Sequence, residues 1–600
     1  MDIEDNNVEQ PCTQYIYEEN YIGYFVKYDN DLEGVRQIIG PSCIDVINTR
    51  FLVAYKDAPA LENPQGFLQY GYNNLPKPYG LMDVPAVEDI GAFAVRSLPG
   101  LRLTGRDVMV GLVDTGIDYK NSAFMDDQGR TRIAYIWDQN QAAMEAGQPV
   151  FGYGGEFDRE DINRAIESAN PYDIVPSRDE VGHGTFLASI AAGREALEEN
   201  FSGVAPEANI IMVKLKEANR ALRDFYYIGG DKTCYAENDI AQGIRYLINK
   251  AVQLRKPMVI CLGVGTNQGA HDGSSNLELY IQSLSGLRGI CFVAPAGNEL
   301  GGRNHYQSWG LNNIGIGPVV DTGTGAPEQI RTVDSGRDEI VEINVEEGVT
   351  GFVTEIWGNA PGLLRVMVES PSGERLDNII PNLSGSNTGD FLFEGSTVFV
   401  ENIVVEATTG DQLYFMRFSN PAKGIWKIIV NESLNMLGQG FNLWLPLREF
   451  VGDKVRFVRP SPDISITSPG NTVGCITVAA YNNDSGAIYV ESSRGYTRRG
   501  GVKPDITAPG VDIKGVFAGG DRTLYTEKSG SSVATAFVAG AAALMLQWGI
   551  VDRNNLGINT EIIKQLFIRG AMRKNQLVYP NNIWGWGTLD ILQTFQNTRQ

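Results

Sequence analysis

A chain of 600 residues with 43% hydrophobic side chains and a formal net charge of −22 has enough apolar material for several folded domains. The acid excess argues against nucleic acid or an anionic membrane surface as a partner. No run of about 18 apolar residues predicts a membrane-crossing helix. The first residues, Met1 to Asp5, lack the charged-then-apolar pattern of a signal peptide, so synthesis in the cytoplasm without classical secretion is expected. Six cysteines, Cys12, Cys43, Cys234, Cys261, Cys291 and Cys475, show no CxxC spacing, and three lie in apolar runs. They read as reduced, buried thiols, with neither a metal site nor a disulfide framework expected. No spaced Asp/Asn loop of the calcium type occurs, and no cofactor or metal is expected.

In chain order, residues 1–80 read as a small α+β unit. Strands are predicted at Tyr21 to Tyr28, Cys43 to Ile47 and Phe51 to Tyr55, with a short helix over Asp31 to Ile39. The Pro-, Gly- and Asn-rich stretch Pro59 to Gly80 reads as a linker. From Asp107 the pattern becomes strand–helix alternation, the mark of a mainly parallel sheet covered by helices. Its strands fall at Val108 to Val113, Ile210 to Leu215, Met258 to Gly263 and Gly289 to Ala294. Helices are predicted near Glu237 to Leu254 and Leu277 to Leu284. The next strand of this type, Gly474 to Ala480, comes about 180 residues later. Between them, short strand-like runs from Ile340 to Leu445, separated by turn residues, predict an inserted all-β sandwich. The expected division is 1–80, 81–325, 326–450 and 451–600.

The candidate chemistry lies in the α/β part. Ser529-Gly530-Ser531-Ser532 leads into a helix that is apolar on every side, which places Ser532 at a helix N-terminus. Free N–H groups and the positive dipole end there favour a developing anion. His183 opens a second helix in Gly182-His183-Gly184-Thr185, and Asp114 ends a strand, at the edge where open α/β sheets place their sites. An acid that orients a histidine, which in turn deprotonates a serine, is the arrangement for acyl transfer. Asn298, ending Val293 to Asn298, can donate to the oxyanion beside the Ser532 N–H. Leu262 and Gly263, with Ala296 and Gly297, are the substrate-binding candidates, offering backbone to an extended peptide.

These blocks resemble the subtilisin-like serine proteases. Val113-Asp114-Thr115-Gly116, Gly182-His183-Gly184-Thr185 and Ser529 to Ala534 match that family's active-site motifs in its order, and Ala294 to Asn298 matches its oxyanion block. Ser492-Ser493-Arg494-Gly495 and Lys503 to Gly510 resemble its approach to the nucleophile. The likeness covers roughly Thr104 to Ile316 and Pro460 to Leu592. Ser531, Val533, Ala536 and Phe537 depart from the usual Thr, Met, Pro and His. The N-terminal unit and the insertion after the oxyanion block resemble the clostridial spore-germination branch. The resemblance implies a subtilisin-like fold with a jelly-roll-like insert and a serine endopeptidase acting on protein or peptide substrates. It further implies a self-processing zymogen whose own propeptide stays a partner, and an association with spores. Self-cleavage is expected between Gly66 and Leu81, with Gln69, Tyr70, Tyr72 and Leu75 as candidate residues before the cut.

Two other readings compete. Asp-Thr-Gly occurs at Asp114 and again at Asp321, the paired tripeptide of aspartic proteases; strand–helix alternation over 107–294 argues against that all-β fold. A catalytically silent scaffold for sensing is the other, and the presence of Asp114, His183, Ser532 and Asn298 together argues against it.

Overall fold

In the computed structural model the strand Met109–Asp114 is buried along its whole length and sends alternate side chains into different cores. Val110 and Leu112 join helices His183–Ala192 and Ser531–Leu546, whereas Met109 and Val113 join Glu237–Leu254 and Asn276–Leu284. A parallel sheet covered on both faces has no polar side, which is why the sequence shows an unbroken apolar run here. The structure describes residues 12–81, 102–308, 338–379, 384–432, 440–519 and 524–598.

Parallel neighbours run in the order Ile476–Asn482, Ile290–Pro295, Met258–Leu262, Met109–Asp114, Asn209–Lys214 and Ile133–Asp138. Antiparallel strands close both margins, Ala487–Ile488 on one side and, on the other, Tyr153–Asp158 followed by Gln148–Val150 at the edge. The expected α/β fold, mainly parallel and flanked by helices, is therefore present. Ser531–Leu546 is buried at every residue. Its extension to Val551 is long and apolar enough to cross a membrane by composition, yet 89% of that window is buried inside protein. A Cβ on Gly540 would stand 2.5 Å from Val204 Cβ and 2.8 Å from Ala191 O, so glycine lets this helix press against its neighbours.

The N-terminal unit is an antiparallel sheet in the order Tyr21–Lys27, Phe51–Asp57, Cys43–Val46. One face (Phe25, Phe51, Val53) packs on the α/β body, where Phe51 meets Tyr280 at 5.4 Å between ring centres. The other face takes Val35 and Ile39 of the helix Leu32–Ile39, capped by the Asp31 carboxylate accepting from Gly34 N. Two expectations are corrected here. Cys12 and Cys43 form a disulfide with Cα atoms 5.7 Å apart; the short helix Thr13–Ile16, packed on the sheet, brings Cys12 to the strand Cys43–Val46, and the sequence spacing gave no sign of it. Cys234, Cys261, Cys291 and Cys475 are free and buried, as expected. The Pro59 to Gly80 stretch is not a free linker: Phe67, Leu68, Tyr72, Leu75 and Tyr79 are all buried, and the segment ends in a strand, Pro78–Leu81.

The insert is two antiparallel sheets packed face to face. The larger holds His305–Gln307, Phe441–Trp444, Gly351–Gly358, Gln412–Ser419, Ser396–Ile403 and Ser384–Phe391; the smaller includes Leu364–Glu369, Gly424–Glu432 and Glu339–Val345. Ile356, Tyr414 and Met416 of one meet Ile343, Val366 and Ile428 of the other. His305–Gln307 and Val455–Phe457 also pair into these sheets, so strands from beyond 326–450 complete them. The outer face of the larger sheet presents Trp357, Phe415 and Trp444 to Tyr72, Leu75 and Phe225, locking the insert to both other parts.

Candidate active site

At the C-terminal edge of the sheet Asp114 is followed by Thr115, whose backbone N–H donates to Asp114 Oδ1 at 2.8 Å. His183 is the first residue of its helix, after Gly182 with φ +81°. Gly184 lies so near the Asp114 loop that a Cβ there would be 2.3 Å from Gly116 O. The two elements are tied together by Asp179, which the sequence reading passed over. Its Oδ1 accepts from Thr115 Oγ1 and Gly182 N, and its Oδ2 from Thr185 N and Oγ1, at 2.6–2.8 Å. The only sequence signal was its place four residues before the histidine.

His183 Nδ1 is 2.6 Å from Asp114 Oδ1, and His183 Nε2 is 3.2 Å from Ser532 Oγ. All three side chains are buried. A carboxylate only accepts, so Nδ1 carries the imidazole proton and bare Nε2 faces the serine hydroxyl. Ser532 is the second residue of its helix, and its N–H has no intrahelical carbonyl to bond. Ser531 N donates to Asn298 Oδ1 at 3.0 Å, which turns the amide so that its Nδ2 donors are the groups left to use. Gly297 N donates to Ser531 Oγ at 3.0 Å, and Gly297 has φ +107° with no room for a Cβ beside Thr467 and Ser493. The loop carrying Asn298 and the turn carrying Ser532 are thus bonded to each other twice.

Substrate-side expectations shift in register. Leu262 is buried and pairs with Val113 inside the sheet. Ala296 spends its N–H on Val478 and its carbonyl on Thr467, so neither faces the cleft. Gly263 instead packs against the Asp114–His183 pair. The edge that holds an extended chain is Val264–Gly265, and it holds one: Pro78–Leu81 pairs antiparallel with it, Val264 opposite Leu81 and Gly265 opposite Gly80. On its other side Tyr79 pairs with Tyr235 and Pro78 with Ala236. The candidate cut residues Gln69, Tyr70, Tyr72 and Leu75 all precede this strand, and Tyr72 and Leu75 are in the core.

The other histidines are structural. His271 and His305 stack on Trp444, with ring centres 4.1 and 4.9 Å away, and burial pulls them down to about 4 and about 3. Burial pushes the Cys261 thiol up, which removes it as a rival nucleophile. Among the described residues no group of three or more His, Cys, Asp or Glu could hold a metal. Asp321 lies outside the described residues.

The Subtilase family profile matches residues 105–336 and 458–587, more than half of the chain. The CspB protease of Clostridium perfringens superposes with a TM-score of 0.70 at 28% identity, covering 84% of this chain and 97% of that one. Two Arabidopsis thaliana subtilisin-like proteases, SBT3.6 and SBT1.7, are 21% and 24% identical over 74% and 73% of this chain. The match spans 56% of the length of each of these curated relatives.

Proposed function

The chain belongs to the subtilase family, and we propose that it is a serine endopeptidase made as a precursor that cuts itself. Ser532 Oγ attacks the carbonyl carbon while His183 Nε2 takes its proton. Asp114 holds the imidazole in that tautomer and stabilises the imidazolium that forms. The oxyanion sits between the Ser532 N–H and Asn298 Nδ2, each such donor worth on the order of 10²–10³ in rate. His183 then returns the proton to the leaving amine, and water repeats the sequence on the acyl-enzyme.

The observation that carries this reading is the strand Pro78–Leu81, which lies between Tyr235–Ala236 and Val264–Gly265 as a peptide substrate would. Gly265 to Gly263 leads back to the Asp114–His183 pair, so the antiparallel strand beside it runs forward toward Ser532. Tethering gives the chain's own bond a high effective concentration. The cut therefore falls within the first few residues after Leu81, and the freed unit stays seated on the body as an inhibitor of other substrates. Intact mass and N-terminal sequencing of wild type beside Ser532→Ala test this. The wild type yields a new terminus just beyond Leu81 and takes a fluorophosphonate on Ser532; the Ala variant does neither. A wild type that labels but stays whole makes the N-terminal unit a permanent domain and sinks the precursor reading.

A further inference from the structure

The cleft has a third wall that comes from outside the sheet. Between the last two strands of the sandwich, Phe441–Trp444 and Val455–Phe457, the chain turns through the short helix Arg448–Val451, which lies against Pro78–Leu81. The Tyr235–Ala236 strand stops opposite Tyr79, so the Leu81 amide has no strand partner on that side. Glu449 Oε2 supplies the acceptor, at 3.0 Å. The same oxygen would stand 2.6 Å from a Cβ on residue 80, with Leu447 Cδ1 at 3.0 Å and Phe450 Cζ at 3.3 Å. Gly80 has no left-handed backbone demanding glycine; the neighbouring side chains take the space.

This wall is fixed to the reaction centre. Arg448 N donates to Glu299 Oε2 at 3.1 Å, Asn267 Nδ2 donates to the same oxygen at 3.0 Å, and Asn304 also binds it. Glu299 directly follows Asn298. The Arg448 guanidinium is held by Glu491 and Asp453, each at 3.0 Å. Glu449 can swing away from a side chain at position 80 only by giving up the Leu81 amide.

We propose that Glu449, with Leu447 and Phe450, determines specificity: it binds the backbone N–H at the Leu81 position and selects glycine at the position before it. This rests on the peptidase reading of the cleft. The class of peptide it admits has glycine followed by any residue with an amide hydrogen, which excludes proline, just ahead of the cut. The clamp acts on the chain's own strand and on any peptide that replaces it.

The test uses full-length protein. In a Ser532→Ala background, hydrogen exchange at Leu81 rises about tenfold when Glu449 becomes Ala, the loss expected for one partly buried hydrogen bond to a carboxylate. Exchange in Tyr21–Lys27 stays unchanged, and Glu449→Gln, which keeps an acceptor, restores protection at Leu81. In the active background Gly80→Ala slows self-cleavage about tenfold or more, and adds nothing once Glu449 is Ala. Unchanged Leu81 exchange in Glu449→Ala, or full-speed processing of Gly80→Ala, overturns the proposal. A wild type that neither cuts itself nor labels on Ser532 defeats the peptidase reading instead, and the exchange result alone then decides the clamp.

Discussion

Gly263 walls the buried acid of the site: a Cβ on it would stand 2.1 Å from Asp114 Oδ2 and 2.7 Å from His183 Cε1. That Asp114 oxygen is buried and has no hydrogen-bond partner among the described residues, so close packing holds the carboxylate on this side. Gly263→Ala therefore pushes the acid and the imidazole away from Ser532. Misplacing reacting groups by about 1 Å costs on the order of 10² in rate. The expected outcome is a kcat lowered by about that factor, with a melting temperature lowered by the overpacking, which costs about 1–3 kcal/mol. A variant with wild-type kcat means that the pair tolerates displacement and that its spacing is not critical.

Asp179 joins the acid loop to the histidine helix through four accepted hydrogen bonds. Asp179→Ala strands four buried or half-buried donors at once. Unsatisfied buried donors cost about 1–3 kcal/mol each, and partial relaxation leaves a loss of about 3 kcal/mol in urea unfolding. Activity falls further than stability does, because Thr115 and Gly182 flank Asp114 and His183. Equal kcat in the two proteins under conditions where both are folded would show that Asp179 serves stability alone.

Much of this was legible because the chemistry is local. Asp114 at a strand end, His183 at a helix start and Ser532 before an all-apolar helix are each marked by their immediate neighbours. What the sequence hid is long-range. Pro59 to Gly80 looks like a linker because Pro, Gly and Asn break regular structure, yet Tyr72, Leu75 and Tyr79 are core residues whose partners come from far along the chain, Tyr235 and Trp357 among them. The Cys12–Cys43 bridge spans 31 residues and needs the sheet to bring its halves together. Ser384–Phe391 is a polar strand at the edge of its sheet, with no apolar alternation to announce it. Glu449 carries no motif at all; only the packing of the insert puts it in the cleft.

On the precursor reading, Lys77 is the expected anchor of the cleaved N-terminal unit. Its side chain is 1% exposed and lies 3.8 Å from Glu237, itself 0% exposed. Lys77 N and O bond the Glu237 side chain and backbone, and Lys77 Nζ donates to Tyr72 O and Asn73 O. Burial pulls the lysine down and pushes the carboxyl up, each offset in part by the other's charge. Removing one partner of such a pair leaves an uncompensated buried charge, worth about 3–5 kcal/mol. After self-cleavage the wild type elutes from gel filtration as one complex. Lys77→Met releases the N-terminal unit, and protease activity on added peptide rises. Co-elution of the Lys77→Met fragments at low micromolar concentration would rule this pair out as the anchor.

Docking of Pro78–Leu81 also depends on pH through Glu449. Burial pushes this carboxyl from 4.5 up to about 7; the Leu81 N–H and the nearby His183 pull it down, Glu299 pushes it up, and Lys232 pulls it down. When the strand leaves, water reaches the carboxyl and its pKa returns toward 4.5. The docked form thus has the higher pKa and holds the proton more tightly. Its contribution to docking is complete below about pH 4.5 and is lost as pH rises through about 7. At about 1.4 kcal/mol per pH unit the swing is at most about 3.5 kcal/mol. Amide exchange at Tyr79 to Leu81 in the Ser532→Ala protein, corrected for intrinsic rates, measures it. Protection falls between pH 5 and pH 8 in that protein, and Glu449→Gln flattens the change because the amide cannot titrate. If the Gln variant keeps the full pH dependence, Glu449 is not the titrating group.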